Sequence, residues 1–172
     1  MPGYVIHLAV AKEYLKKHKE NQENYNDFIE GIIFPDGVKD KSLTHYGPQS
    51  SETNLKDFLD DKKIDTSFNR GYFLHLITDY LFYNKYIDRI SDDIYNDYDL
   101  LNDGLIEKYD ITLPEKAKEK VASKTEGNLK ILSRELVEQF IEDVSELDLD
   151  EIACDINRNP EKWTKIRKLK RI

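Results

Sequence analysis

Apolar residues recur at three- and four-residue spacing through most of this chain, and only seven glycines and five prolines interrupt it. That period belongs to helices with one buried face, so the sequence predicts an all-α single domain. A first helix is expected from Tyr4 to about Lys19, its stripe running through Val5, Leu8, Ala9 and Leu15 and grading into Lys12 and Lys16, with His7 on or beside it. A second should run from about Asn24 to Ile33 and stop before Pro35. The residue ahead of a proline disfavours helical backbone, and the proline itself has no N–H. Asp36 would then sit in a turn. Val38 to about Ser51 has no helical period and reads as a loop, which places His45 on irregular backbone.

Ser51 or Thr53 is a candidate cap for a short helix to about Asp61, and Asp65-Thr66-Ser67 offers one for a long helix through about Ile90. Further helices are expected from Ser91 or Asp92 to about Lys108, at Pro114, from Asn128 to Val144, from Asp148 to Ile156, and from Pro160 onward. The long helix differs from the rest. Its stretch Gly71 to Phe82 is apolar nearly all round, which predicts burial, yet it contains His75 and Asp79. Their i, i+4 spacing puts both on one face. A buried carboxylate is costly unless it is paired, hydrogen-bonded or bound to a cation. The pair is therefore either a hydrogen-bonded couple or part of a metal site. Gly71, one turn earlier, either lets another helix approach closely or leaves room for a ligand.

The 172 residues, 39% apolar and 11% aromatic, suffice for one core and exclude a disordered chain. A net charge of -8 argues against a general polyanion binder. Residues 162–172 reverse that charge, with Lys162, Lys165, Arg167, Lys168, Lys170 and Arg171 and no acid. They read as a basic helix end, with weak contact to phospholipid headgroups or nucleic-acid phosphate as the other reading. The acids Asp92, Asp93, Asp97, Asp99 and Asp103 do not fit a calcium loop, because Leu101 and Asn102 fall where an oxygen ligand and a glycine are needed. They read as a solvated face. One cysteine, Cys154, excludes an intrachain disulfide and suits a reducing compartment. The opening residues lack the pattern of a secretory signal, so a cytoplasmic location is expected.

The remaining candidates for chemistry are His7, Asp36, His45, His75 and Asp79, whereas His18 lies among lysines and is expected at the surface. Three imidazoles and two carboxylates suit zinc, and also manganese or iron. Their order resembles the zinc-dependent phospholipase C family, which shares its fold with the S1/P1-type nucleases. The matching elements are His7 early in the first helix, Asp36 in Phe34-Pro35-Asp36, His45-Tyr46, and His75 with Asp79 on a buried helix; they span about residues 1 to 90. The resemblance implies one zinc held by Asp36, His45, His75 and Asp79 and a second by His7 and Asp79, with Asp79 bridging and Asp36 also accepting a proton from the attacking water. It departs at Lys85, where the family has another histidine, and in the absence of any histidine after His75, so a third metal would need acids such as Asp88 or Asp97. Pro2, exposed as an N-terminus by methionine removal, is a further candidate donor by the same resemblance.

A one- or two-metal hydrolase of a phosphate ester is thus the expected function, with a phospholipid, nucleotide or nucleic acid as substrate. A metal-stabilised helical binding module is the alternative. A phosphohydrolase of the His-Asp type is disfavoured, since no histidine here precedes an aspartate.

Overall fold

Helices account for nearly all regular structure in the computed structural model, which describes residues 2–172. They are α1 (Tyr4–Lys17), α2 (Tyr25–Gly37), α3 (Ser42–His45), α4 (Leu55–Asp61), α5 (Ser67–Leu81), α6 (Asp93–Lys108), α7 (Glu115–Lys118), α8 (Arg134–Ser145) and α9 (Leu149–Arg158). Among the described residues the one sheet pairs β1 (Arg89–Ile90) with β2 (Lys170–Arg171) in parallel. The protein is all-α, as its periodicity predicts. Among the described residues no helix is long and apolar enough to cross a membrane.

The predicted caps hold in part. Thr66 accepts from the Asn69 amide at the start of α5, whereas α4 is capped by Asn54 rather than Ser51 or Thr53. Side-chain oxygens of Asn24, Ser133 and Asp148 do the same for α2, α8 and α9. Each satisfies an amide that the helix cannot bond internally.

Five expectations need correction. α2 does not stop before Pro35 but continues to Gly37. A proline so near the helix end removes only its own bond to the Gly31 carbonyl, while Phe28, Ile29, Ile32 and Ile33 hold the helix in the core. Asp36 therefore lies one turn beyond Ile32 on a buried helical face, not in a turn. His45 likewise ends a short helix, α3, rather than sitting in an open loop. α5 ends at Leu81, and the chain continues through a wider turn, Phe82–Tyr86, closed by the Ile87 amide on the Phe82 carbonyl. The basic tail is not a helix end. After a single 3-10 turn at Pro160–Trp163 it runs extended and pairs with β1, the Lys170 and Ile172 amides donating to the Asp88 and Ile90 carbonyls. Finally, Asp97 does not belong to a solvated face: it is buried, and its carboxylate accepts from the backbone amides of Lys130, Ile131 and Leu132.

α5 runs through the centre, buried from Arg70 to Tyr80. Its closest partner is α2, and the reason lies in two glycines. A Cβ on Gly71 would meet the Phe28 carbonyl oxygen at 2.1 Å, and one on Gly31 would meet that of Phe68 at 2.1 Å. Of the two readings of Gly71, the structure selects close helix packing. Backbones brought this near let a side chain of one helix reach a carbonyl of the other.

Candidate metal centre

All five predicted residues meet at one place. His7 comes from α1, Asp36 from α2, His45 from α3, and His75 and Asp79 from α5; each is exposed by 4% or less. Asp79 is central. One oxygen lies 3.1 Å from His7 Nε2, and the other lies 3.0 Å from His45 Nε2 and 3.4 Å from His75 Nε2. Asp36 stands opposite, its Oδ1 at 3.6 Å from His45 Nε2 and 3.8 Å from His75 Nε2, its Oδ2 at 4.0 Å from His7 Nε2.

Close packing of α2 on α5 orients the first imidazole. His75 Nδ1 is 2.6 Å from the Ile32 carbonyl, so Nδ1 carries the hydrogen and donates it, leaving the Nε2 lone pair turned inward. His45 is set the same way by its own helix, with Nδ1 at 3.1 Å from the Lys41 carbonyl. Metal-binding histidines are held in this manner, by a hydrogen bond from the nitrogen that does not ligate. With both Nε2 atoms acting as acceptors, their 3.4 Å approach is no hydrogen bond. His7 stacks flat on His75, with ring centroids 3.8 Å apart and planes 5° from parallel.

The carboxylates lack what they need. Neither oxygen of Asp36, neither oxygen of Asp79 and neither nitrogen of His7 finds an aligned hydrogen-bond partner, although all are buried. The distances are short, but the Nε2 atoms of His45 and His75 carry no hydrogen in this arrangement, and His7 Nε2 is misaligned. A buried acceptor left in this state costs about 1–3 kcal/mol, and more if charged. A cation among these atoms removes that penalty. Two triads, His7 with His75 and Asp79, and Asp36 with His45 and His75, bring their donor atoms within 4.8 Å of one another and could each hold an ion. The second triad unites groups that the sequence placed on a turn, a loop and a helix.

The electrostatics point the same way. Burial, reinforced by the neighbouring His75, lowers the pKa of His7 and favours its neutral, ligating form. For Asp79 burial opposes ionisation, but the His75 charge and the close imidazoles of His45, His7 and His75 outweigh it and hold the carboxyl well below its ordinary range. Burial also opposes charge on His75, and there the Asp79 and Asp36 charges prevail and raise its pKa. A metal held among these groups would supply the charge that balances Asp79.

Lys41 is a contact that sequence reasoning missed. Its ammonium donates to the Asp36 carbonyl at 2.6 Å and lies 3.4 Å from the Asp36 carboxylate. The i, i+5 placement across the end of α2 would have revealed it only if α2 had been read through Pro35. Asp88 and Asp97 take no part, the first being exposed and the second tied to backbone amides. Lys85 is exposed as well. Nor is His18 a plain surface residue: it stacks on Tyr14 and its Nε2 lies 3.0 Å from the Ser145 carbonyl.

Beside Asp36 lies a cavity of about 240 Å³, lined also by Gly3, Tyr4, Tyr98, Asn102 and Lys120 among others. Burial, together with the charges of Asp79, Tyr95, Asp36 and Asp97, keeps the Tyr98 hydroxyl protonated far above its usual range. Compared with protein-family models, with curated proteins and with solved structures, the chain shows no match.

Proposed function

We propose that the protein is a metal-dependent hydrolase of phosphate esters, acting on a phosphodiester with a one- or two-ion zinc centre held by His7, Asp36, His45, His75 and Asp79. The single observation that carries this reading is the arrangement at Asp36 and Asp79: two buried carboxylates without an aligned hydrogen bond, facing two imidazoles whose Nδ1 atoms are tied to main-chain carbonyls. The donor set, imidazole and carboxylate without thiolate, suits Zn2+ and also Mn2+ or Fe2+. The resemblance of these five residues to the zinc-dependent phospholipase C pattern points to the same chemistry.

When bound, such an ion would lower the pKa of a water ligand and neutralise charge on a phosphoryl group. The residues have separable duties. Asp79, whose two oxygens face different histidines, would be the bridging ligand of this reading. His45 and His75 fix the inner wall through their carbonyl partners. Asp36 alone of the five lines the cavity, which makes it the ligand placed to take a proton from water arriving there. A phosphoryl-bearing lipid, nucleotide or nucleic acid would enter from that side.

A second reading has one observation in its favour. Structural metal sites are closed by protein ligands, and here every donor is covered. On that reading the chain is a metal-stabilised binding module. Elemental analysis of untagged protein, with turnover of bis(p-nitrophenyl) phosphate, tests both. Bound metal with metal-dependent turnover, both lost in Asp79→Asn and His75→Ala, is the expected result. Bound metal with no turnover of several phosphoesters selects the module, and absence of metal overturns both readings.

A further inference from the structure

Tyr98 presents a problem that the metal centre does not solve. It is buried, its hydroxyl finds no hydrogen-bond partner, and it lines the same cavity as Asp36. An unpartnered buried hydroxyl is costly, so a donor held in that state next to a cavity invites an acceptor from outside the chain. Its ring is fixed in place: a Cβ on Gly3 would meet Tyr98 Cγ at 3.2 Å, so the absent side chain at residue 3 makes the ring's seat.

Two other features of the cavity favour the same kind of acceptor. Lys120 has no ion-pair partner among the described residues. Its ammonium rests 3.2 Å from the Tyr4 hydroxyl and 5.5 Å from that ring's centre, an anchorage easily exchanged for an anion. Gly3 and Tyr4 are the cap and first residue of α1, a 14-residue helix with no acid in its first turn, so its positive end opens on the cavity. Of the acids in the lining, Asp99 lies 3.6 Å from the Lys124 ammonium, and Asp36 faces the metal centre and Lys41. The cavity is also small. At about 240 Å³ it falls below the roughly 300–1,000 Å³ of pockets that enclose whole ligands, so it suits one compact group with the remainder of the molecule outside.

We propose that this cavity is the phosphoryl subsite: Tyr98 donates its hydroxyl hydrogen to one non-bridging phosphate oxygen, Lys120 moves from Tyr4 to a second, and the first turn of α1 faces the same charge. The assignment rests on the hydrolase reading above and adds to it which groups, other than the metal ligands, hold the substrate.

Calorimetric titration with inorganic phosphate tests it on metal-loaded wild type, Tyr98→Phe and Lys120→Met, with metal content measured on the same samples. Tyr98→Phe keeps the ring against Gly3, and Lys120 is exposed, so both variants retain the fold and the metal. Each is expected to weaken phosphate by about tenfold or more, since a hydrogen bond to a charged partner contributes roughly 1.5–3 kcal/mol. Wild-type affinity in both variants overturns the subsite while leaving the metal centre intact. So does a wild type that takes up no phosphate. Metal-free wild type would sink the hydrolase reading instead, and phosphate binding to that protein, weakened or not in the two variants, still decides the cavity.

Discussion

Gly71 and Asp97 carry more of the structure than their side chains suggest. At Gly71 the α2 backbone occupies the volume that a methyl would need, with a carbonyl 2.1 Å from the ideal Cβ position. Gly71→Ala must therefore push α2 from α5. The expected loss is about 1–3 kcal/mol or more, read by thermal or denaturant unfolding. Metal affinity should fall as well, because the Ile32 carbonyl that orients His75 belongs to the displaced helix. Asp97→Ala tests a different mechanism. It leaves the amides of Lys130, Ile131 and Leu132 without their acceptor, the last two buried, and should destabilise by about 3 kcal/mol at unchanged metal content. His75 and Asp79 were legible in the sequence because a charged pair is conspicuous in an apolar helix. Asp97 was not, because its neighbours Asp93 and Asp99 are partly exposed and make the whole run look solvated.

Among the elements, the tail shows best what a hydrophobic pattern leaves out. Its basic residues suggested a helix end, but the segment is held by backbone groups that carry no sequence signature: β2 against β1, and the Arg167 amide on Asn84 Oδ1 at 2.6 Å. The turn that begins it is pinned by Asp155, which accepts from Trp163 Nε1 at 2.8 Å and from the Lys162 ammonium at 2.9 Å. Hydrogen bonds from Lys162, Trp163 and Asn159 depress the pKa of Asp155 to about 2. A carboxylate whose folded pKa lies below its ordinary value near 3.8 stabilises the contact fully above that value and progressively less as pH falls toward 2. Trp163 is the sole tryptophan, so its fluorescence reports this event directly. Acidification from pH 4 to 2 should change the emission, and Asp155→Asn should remove that titration. Proline was the other source of error. Pro35 was read as a stop when it stands only two residues before the end of α2, where one missing bond matters little.

At the scale of the whole molecule, four helices separated along the sequence each supply a donor, and only the fold brings them together. The order of the five residues was visible in the sequence and implied their convergence through the resemblance, but the geometry behind it was not, since it depends on the Gly31 and Gly71 crossing and on the last turn of α2. A metal that binds the folded chain at a hundred times its dissociation constant contributes about 2.7 kcal/mol. For a chain of this length, removing it with a chelator should lower the melting temperature by roughly 5–11 °C. A chelator with no effect on melting would argue against occupancy in solution.

Complete coverage of the five donors also governs how fast an ion exchanges. With the ligands exposed by no more than 4% and a cavity of only about 240 Å³ beside Asp36, a chelator bulkier than a phosphoryl group cannot reach the ion to form a mixed complex and pull it away. Release must wait for the protein to open locally, at α3 or along the cavity edge by Asp36. The rate of metal loss should therefore level off as chelator concentration rises, at a ceiling set by the chain's own breathing, and Gly71→Ala, which loosens the α2 and α5 crossing, should raise that ceiling.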